Sequence, residues 1–119
     1  MKLKFLGTAA AEAIPALWCE CEVCRKAKIR GGKEIRRRCS YLLDDDTLID
    51  FGPDAYWQSI EFGIDLPSID RIVFTHSHED HLNPVDLFWR NSPCFSRVTK
   101  PLTVIGSRRI FGTIMVHAG

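Results

Sequence analysis

Long apolar runs are missing from this chain of 119 residues. None approaches the roughly 18 residues needed to span a bilayer, so no helical membrane span is expected. No export signal is expected either. Lys2, Leu3, Lys4 and Phe5 alternate like a first strand, and Glu12 and Pro15 interrupt the stretch that superficially imitates a signal peptide. Internal repeats and low-complexity linkers are absent. Net charge is small, a formal +1, so charge balance by itself names no partner. The five cysteines are an odd number. Without an export signal they argue against a disulfide framework and for a reducing, cytoplasmic setting. What remains is an ordinary globular composition, 45% hydrophobic and 26% charged.

Histidine numbers only four, and three of these, with an aspartate, fall within the hexapeptide His76 to His81. The segment Thr75-His76-Ser77-His78-Glu79-Asp80-His81 follows the apolar run Ile72-Val73-Phe74 directly. In an extended chain His76 and His78 point to one side. A helical turn near Asp80 would let Asp80 and His81 face the same space from another angle. Such a set suits two ions side by side, roughly 3.5 to 4 Å apart, which generate hydroxide near neutral pH and clamp an in-line displacement. Imidazole nitrogen with carboxylate oxygen is a ligand set for zinc, manganese or iron rather than calcium or magnesium. The competing reading is an exposed polar loop after a buried strand. His117, in a stretch that reads as an apolar helix, is expected to be a helix-end residue favourable to the macrodipole rather than a ligand.

A second cluster is Cys19-Glu20-Cys21-Glu22-Val23-Cys24, with Cys39 fifteen positions further on. Thiolates this close converge on one ion, and zinc's preference for four tetrahedral ligands makes a closed structural site the natural reading. Cys39 is a candidate fourth ligand; free or redox-active thiols are the alternative. Cys94 has no histidine or aspartate near it in sequence, so nucleophilic catalysis is not indicated.

The chain reads as a strand at 2–6, a loop through Pro15, a basic helix at about 22–30, and a hairpin of Ser40–Leu43 and Thr47–Phe51 turned by Asp44-Asp45-Asp46. A short helix at 55–62, a strand at 70–75, a helix at 82–90 opened by Asn83-Pro84, a strand at 101–106 and a terminal helix complete the order. Asp50 falls at a strand end, where it either orients a ligand imidazole or caps the turn at Gly52-Pro53.

The pattern of His76, His78, Asp80 and His81 resembles the signature loop of the metallo-β-lactamase-fold hydrolases. Further features narrow the resemblance to the phosphoribosyl cyclic phosphodiesterases of phosphonate breakdown. These are Leu6-Gly7-Thr8, Trp18-Cys19-Glu20-Cys21 with Cys24, Cys39-Ser40, and Leu48-Ile49-Asp50 with Gly52. The resemblance implies an α/β (α+β) fold, an αββα sandwich. With 119 residues, the expectation is its N-terminal half: a mixed β-sheet with flanking helices, a single partial domain over 1–119 with a cysteine-bearing insertion at about 18–39. It implies two divalent ions, zinc or manganese, on His76, His78, Asp80 and His81, with Asp80 also orienting the attacking water. It also implies one structural zinc on Cys19, Cys21 and Cys24, a second-shell role for Asp50, and a small phosphodiester substrate. In the family, further ligands to the ions, and a histidine completing the cysteine site, come from later strands. Half a sandwich also leaves one sheet face uncovered, which a homodimer or a continuation of the chain would cover. The first loop departs from the family, with alanine at Ala9 to Ala11 and Ala13 where glycines are common. Other readings are a non-catalytic metal-binding or interaction fragment, a pyrroloquinoline quinone biosynthesis-like relative, and a ribonuclease Z-like relative.

Charge is uneven. Residues 25–38 hold eight of the sixteen Lys and Arg and one of the fifteen acids, a formal +7 that leaves −6 elsewhere. Such a run either steers a phosphorylated substrate or is a solvated face. Aromatics are not interleaved with it, so a stacking platform for single strands is not indicated and nucleic acid stays a secondary alternative.

Overall fold

The computed structural model describes residues 1–78, 80–91, 94 and 96–118, with 117 and 118 described by backbone alone. Five strands form one mixed sheet in sequence order: β1 (Leu3–Gly7), β2 (Ser40–Leu43), β3 (Thr47–Ile49), β4 (Arg71–Val73) and β5 (Thr103–Ile105). The first three run antiparallel, and β3, β4 and β5 run parallel. Helix α1 (Glu22–Arg30) lies between β1 and β2, α2 (Ala55–Glu61) between β3 and β4, α3 (Pro84–Phe88) between β4 and β5, and α4 (Arg108–Ala118) follows β5. The parallel pairs need these crossovers, because strands joined by a tight turn can only run antiparallel. No helix among the described residues is long and apolar enough to cross a membrane.

Strand alternation sorts the side chains onto two faces. On one, Leu42, Leu48, Ile72 and Val104 stand in register across four strands. They join Leu6, Phe51, Ala55, Ile69, Phe74, Leu82 and Ile110 in the core. On the other, Phe5, Tyr41, Ile49, Val73 and Ile105 form a second apolar row in register. Phe5 and Ile105 remain 60% and 47% exposed. Tyr41, Ile49 and Val73 between them are half-buried, so this row is the more exposed of the two.

The elements follow the expected order, with shorter strands. The hairpin turns through Asp44 and Asp45 at φ 53° and 64°, left-handed values that Asp tolerates better than most residues. The expected helix over 82–90 begins two residues later, at Pro84, with the Asn83 side chain accepting the Asp86 N–H. Its end tightens into a 3-10 turn over Trp89–Asn91. Asp80 and His81 are therefore not helical. They sit on a turn in which the His78 carbonyl accepts from the N–H of both His81 (3.0 Å) and Leu82 (2.9 Å). Proline at the first helical position fixes where the helix starts.

Candidate metal centre

The ends of β3 and β4 build the site. Past β3, Asp50 takes a left-handed conformation, φ 67°, with its N–H on the Val73 carbonyl at 2.8 Å. Its carboxylate is 1% exposed and turned toward the segment after β4. There Thr75 donates its N–H to Oδ1 and its hydroxyl to Oδ2, both at 2.8 Å, and the His81 Nδ1 lies 2.5 Å from Oδ2. A non-glycine residue held at positive φ is a local cost that such a network offsets.

The same network reaches the first histidine, whose Nδ1 lies 3.0 Å from Thr75 Oγ1. A carboxylate only accepts, so the protons fall in order: His76 Nδ1–H to the Thr75 oxygen, the Thr75 hydroxyl to Asp50, and His81 Nδ1–H to Asp50. Both rings then present Nε2 on the side away from Asp50 and Thr75, the atom through which each would bind a cation. One buried carboxylate orients two imidazoles, one directly and one through Thr75.

Facing them is Asp80, with Oδ2 3.0 Å from His81 Nε2. A proton on Nε2 would pair this ring with Asp80, and a cation taking that proton's place would find both atoms as ligands. Ligand atoms of His76, Asp80 and His81 all lie within 4.8 Å of one another. That spacing and donor set fit an ion with bonds of about 2.0 to 2.2 Å to nitrogen and oxygen. His78 stands beside this trio rather than within it, its ring edge-on to His76 with centroids 4.8 Å apart. It lines, with Asp80, Ala11, Arg38 and Pro53, an open cleft of about 370 Å³.

Gly52 shows why the loop closes here. A Cβ on Gly52 would stand 2.3 Å from the Asp80 carbonyl oxygen, so only glycine lets the two segments approach. The approach is pinned by Phe51 N–H to the His81 carbonyl (2.9 Å) and Asn83 N–H to the Phe51 carbonyl (2.7 Å). A separate hollow of about 240 Å³, lined by Leu48, Phe51, Leu87, Trp89 and Leu102 among others, is apolar and away from the histidines. It holds none of the ligand-type residues predicted from the sequence.

Cys19, Cys21 and Cys24 also converge within 4.8 Å, at the entry to α1. Cys21 is the residue before the helix, and Cys24, 6% exposed, accepts the Ala16 N–H at 3.4 Å. The Cys24 backbone N–H, with the thiols of Cys19 and Cys24, pulls the Cys21 thiol down to about 7. Cys19 is pulled down by the Cys21 backbone N–H, but hydrogen bonds to the Cys21 and Cys24 thiols and partial desolvation leave it raised. One thiolate shared among three sulfurs suits zinc.

Cys39, expected as a possible fourth member, is placed elsewhere. Its sulfur lies near Asp50 and His81, with its thiol on the Tyr41 hydroxyl at 3.3 Å. The reason is β2: Cys39 immediately precedes it, and the pairing of Ser40 with Gly7 carries it to the histidine end of the sheet. The side chain of His117 lies outside the described residues. Two residues that the sequence reading gave no role at the site now belong to it. Thr75 was visible as the first letter of the histidine segment, whereas Arg38 was indistinguishable within the basic run.

The family model described as the metallo-beta-lactamase superfamily matches residues 40–114. No curated protein matches the chain. Among solved structures, a diphosphatase from the PhnP family is 26% identical, with a TM-score of 0.69 over 96% of this chain and 44% of that one. Zinc-bound PqqB from Methylobacterium extorquens is 21% identical, with a TM-score of 0.77 over 98% of this chain and 40% of that one. The short form of human tRNase Z is 23% identical, with a TM-score of 0.65 over 98% and 39%. The last two likenesses are of fold. The chain spans less than half the length of each of these three structures.

Proposed function

Since the chain belongs to the metallo-beta-lactamase superfamily, we propose that it is a metal-dependent hydrolase acting on a small or cyclic phosphodiester. The observation that carries this reading is the convergence of His76, Asp80 and His81, within 4.8 Å, above the buried Asp50. His76, His78, Asp80 and His81 are this chain's share of a dinuclear zinc or manganese centre, and Cys19, Cys21 and Cys24 its share of a structural zinc site.

When bound, such ions supply hydroxide near neutral pH and polarise a phosphoryl oxygen. The side chains have their own tasks. Asp50 and Thr75 fix the ring orientations of His76 and His81. Asp80, at the cleft wall, can take a proton from a water lying there. His78, exposed at the mouth, completes the donor set from the cleft side. No side-chain nucleophile is needed, and the likeness to a PhnP-family diphosphatase favours phosphorus over carbon as the centre attacked.

The test is turnover of bis(4-nitrophenyl) phosphate by the 119-residue chain, titrated with zinc or manganese, before and after His78→Ala. Metal-dependent turnover lost in the variant supports the reading; absence of metal-dependent turnover contradicts it. A non-catalytic metal-binding module is the second reading, favoured because the four donors of the histidine loop are few for two ions. It would bind metal without turnover.

A further inference from the structure

We propose that Arg38 is a phosphoryl-oxygen clamp, which makes the cleft beside the histidine loop a site for a phosphate-bearing anion. Of the basic residues between 25 and 38, Arg38 is the one that lines this cleft, together with His78 and Asp80. Its neighbours are occupied or elsewhere. Arg25, Lys26 and Arg37 pair with Glu20, Glu22 and Glu61, and Arg36 borders a different hollow.

The fold holds Arg38 at both ends. Its backbone N–H donates to Asp54 Oδ2 at 2.8 Å, and its carbonyl accepts from the buried Gln58 side chain at 2.9 Å. Gly7 lets the strand pass beneath, since a Cβ there would stand 2.2 Å from the Arg38 carbonyl oxygen. At the head group, Nε donates to the Ala11 carbonyl at 3.0 Å and Nη1 to Asp54 Oδ1 at 3.1 Å. A guanidinium carries five N–H groups. Two are used, and no described residue takes the remaining three, on Nη1 and Nη2. The result is a fixed fork, 21% exposed at the side chain, on the cleft wall. A planar fork matches two phosphate oxygens, which a lysine in the same place would not.

Asp54 spends its two oxygens on Arg38, so it serves as an anchor rather than a competitor. Asp80, also on the cleft, is the repulsive element. An anion there is therefore held weakly by Arg38 alone and more strongly once cations offset Asp80. The inference rests on the hydrolase reading only for what happens next to the bound anion; phosphate binding itself needs no turnover.

The experiment is titration of the 119-residue chain with inorganic phosphate, metal-free and zinc-loaded, at low ionic strength, followed by amide and Arg Nε NMR signals. Arg38→Met is expected to weaken phosphate binding by roughly 10- to 100-fold, the loss of a bidentate charge-assisted pair. Arg38→Lys should recover part of it. Asp54→Asn, which keeps the guanidinium and loosens its anchor, should weaken binding several-fold. Neutral trimethyl phosphate should bind no differently in wild type and Arg38→Met. The amide spectrum of each variant shows that the fold persists. Phosphate binding unchanged by Arg38→Met overturns the clamp, as does a wild-type chain that binds no phosphate in either form. A chain that takes up no metal but binds phosphate through Arg38 sinks the hydrolase reading and leaves the clamp standing. Metal-dependent turnover with phosphate binding indifferent to Arg38 does the reverse.

Discussion

The histidine loop and the cysteine trio are both runs of ligand-type residues within six positions of one another, yet the fold supports them in different ways. His76 and His81 are held from β3 by a carboxylate 1% exposed and 31 residues from His81 in sequence, through Thr75 and a loop that closes only because position 52 is glycine. The three cysteine sulfurs stand within 4.8 Å of one another at the start of one helix, Cys24 accepting the Ala16 N–H, and Cys21 is exposed. A site positioned by distant elements inherits their rigidity. A site contained in one short segment depends on its ion for order. The difference supports the proposed division, chemistry at the first and structural support at the second.

Breaking the comparison at its strongest point means removing the carboxylate. Asp50→Ala should lower metal affinity at the histidine loop by roughly 10- to 100-fold. It should also destabilise the fold by roughly 1 to 3 kcal/mol, because the Thr75 N–H loses its partner. Zinc on the cysteines should be unaffected, since no hydrogen bond joins the two sites among the described residues. Competition with a chromophoric chelator, together with urea unfolding, reads both numbers.

A smaller effect belongs to the relay. Thr75→Val keeps the shape and removes the hydroxyl, leaving His76 Nδ1 without its acceptor while His81 retains Asp50. Metal affinity should fall by about two- to tenfold, matching one modest hydrogen bond near solvent. Long-range 15N NMR of the imidazoles should show the His76 tautomer changing and that of His81 unchanged. Thr75→Ser should behave as wild type. If both rings change together, the relay is not selective.

The smallest effect sharpens the other side. With its thiol pulled down to about 7, Cys21 is half thiolate near neutral pH, a fraction that rises above that pH and falls below it, while the raised Cys19 lags. Alkylation mapped by mass spectrometry on metal-free protein should therefore modify Cys21 before Cys19 at neutral pH, and bound zinc should protect both. Equal rates would remove the case for one shared thiolate.

Much of this was legible in the chain because the informative residues are neighbours. The order His76, His78, Asp80, His81 is a cluster of ligand-type residues before any folding, and helix α1 falls where its basic run places it, at Glu22–Arg30. Contacts that cross the sheet are another matter. Asp50 left two readings open, a turn cap or an imidazole partner, and its bonds to Thr75 and His81 across 25 and 31 residues select the second. Cys39 lay within reach of the trio by sequence count alone, but strand pairing sets it beside Asp50. Arg38 was one positive charge among eight. Asp54 and Gln58 of the α2 segment, Gly7 of β1 and the Ala11 carbonyl of the loop after it hold it at the cleft. The turn at Asp80 replaced an expected helical start because Pro84 sets the boundary of α3.

We propose that the histidine loop binds metal through donors positioned by the ends of β3 and β4, independently of the cysteines. Metal content after equilibrium dialysis against zinc, measured by elemental analysis, tests it most directly on four proteins: wild type, His76→Ala with His81→Ala, Cys21→Ser with Cys24→Ser, and all four substitutions together. Zinc is expected in the wild type, with a separate loss for each pair and none left in the quadruple variant. Equal zinc in the wild type and the histidine double variant would contradict it.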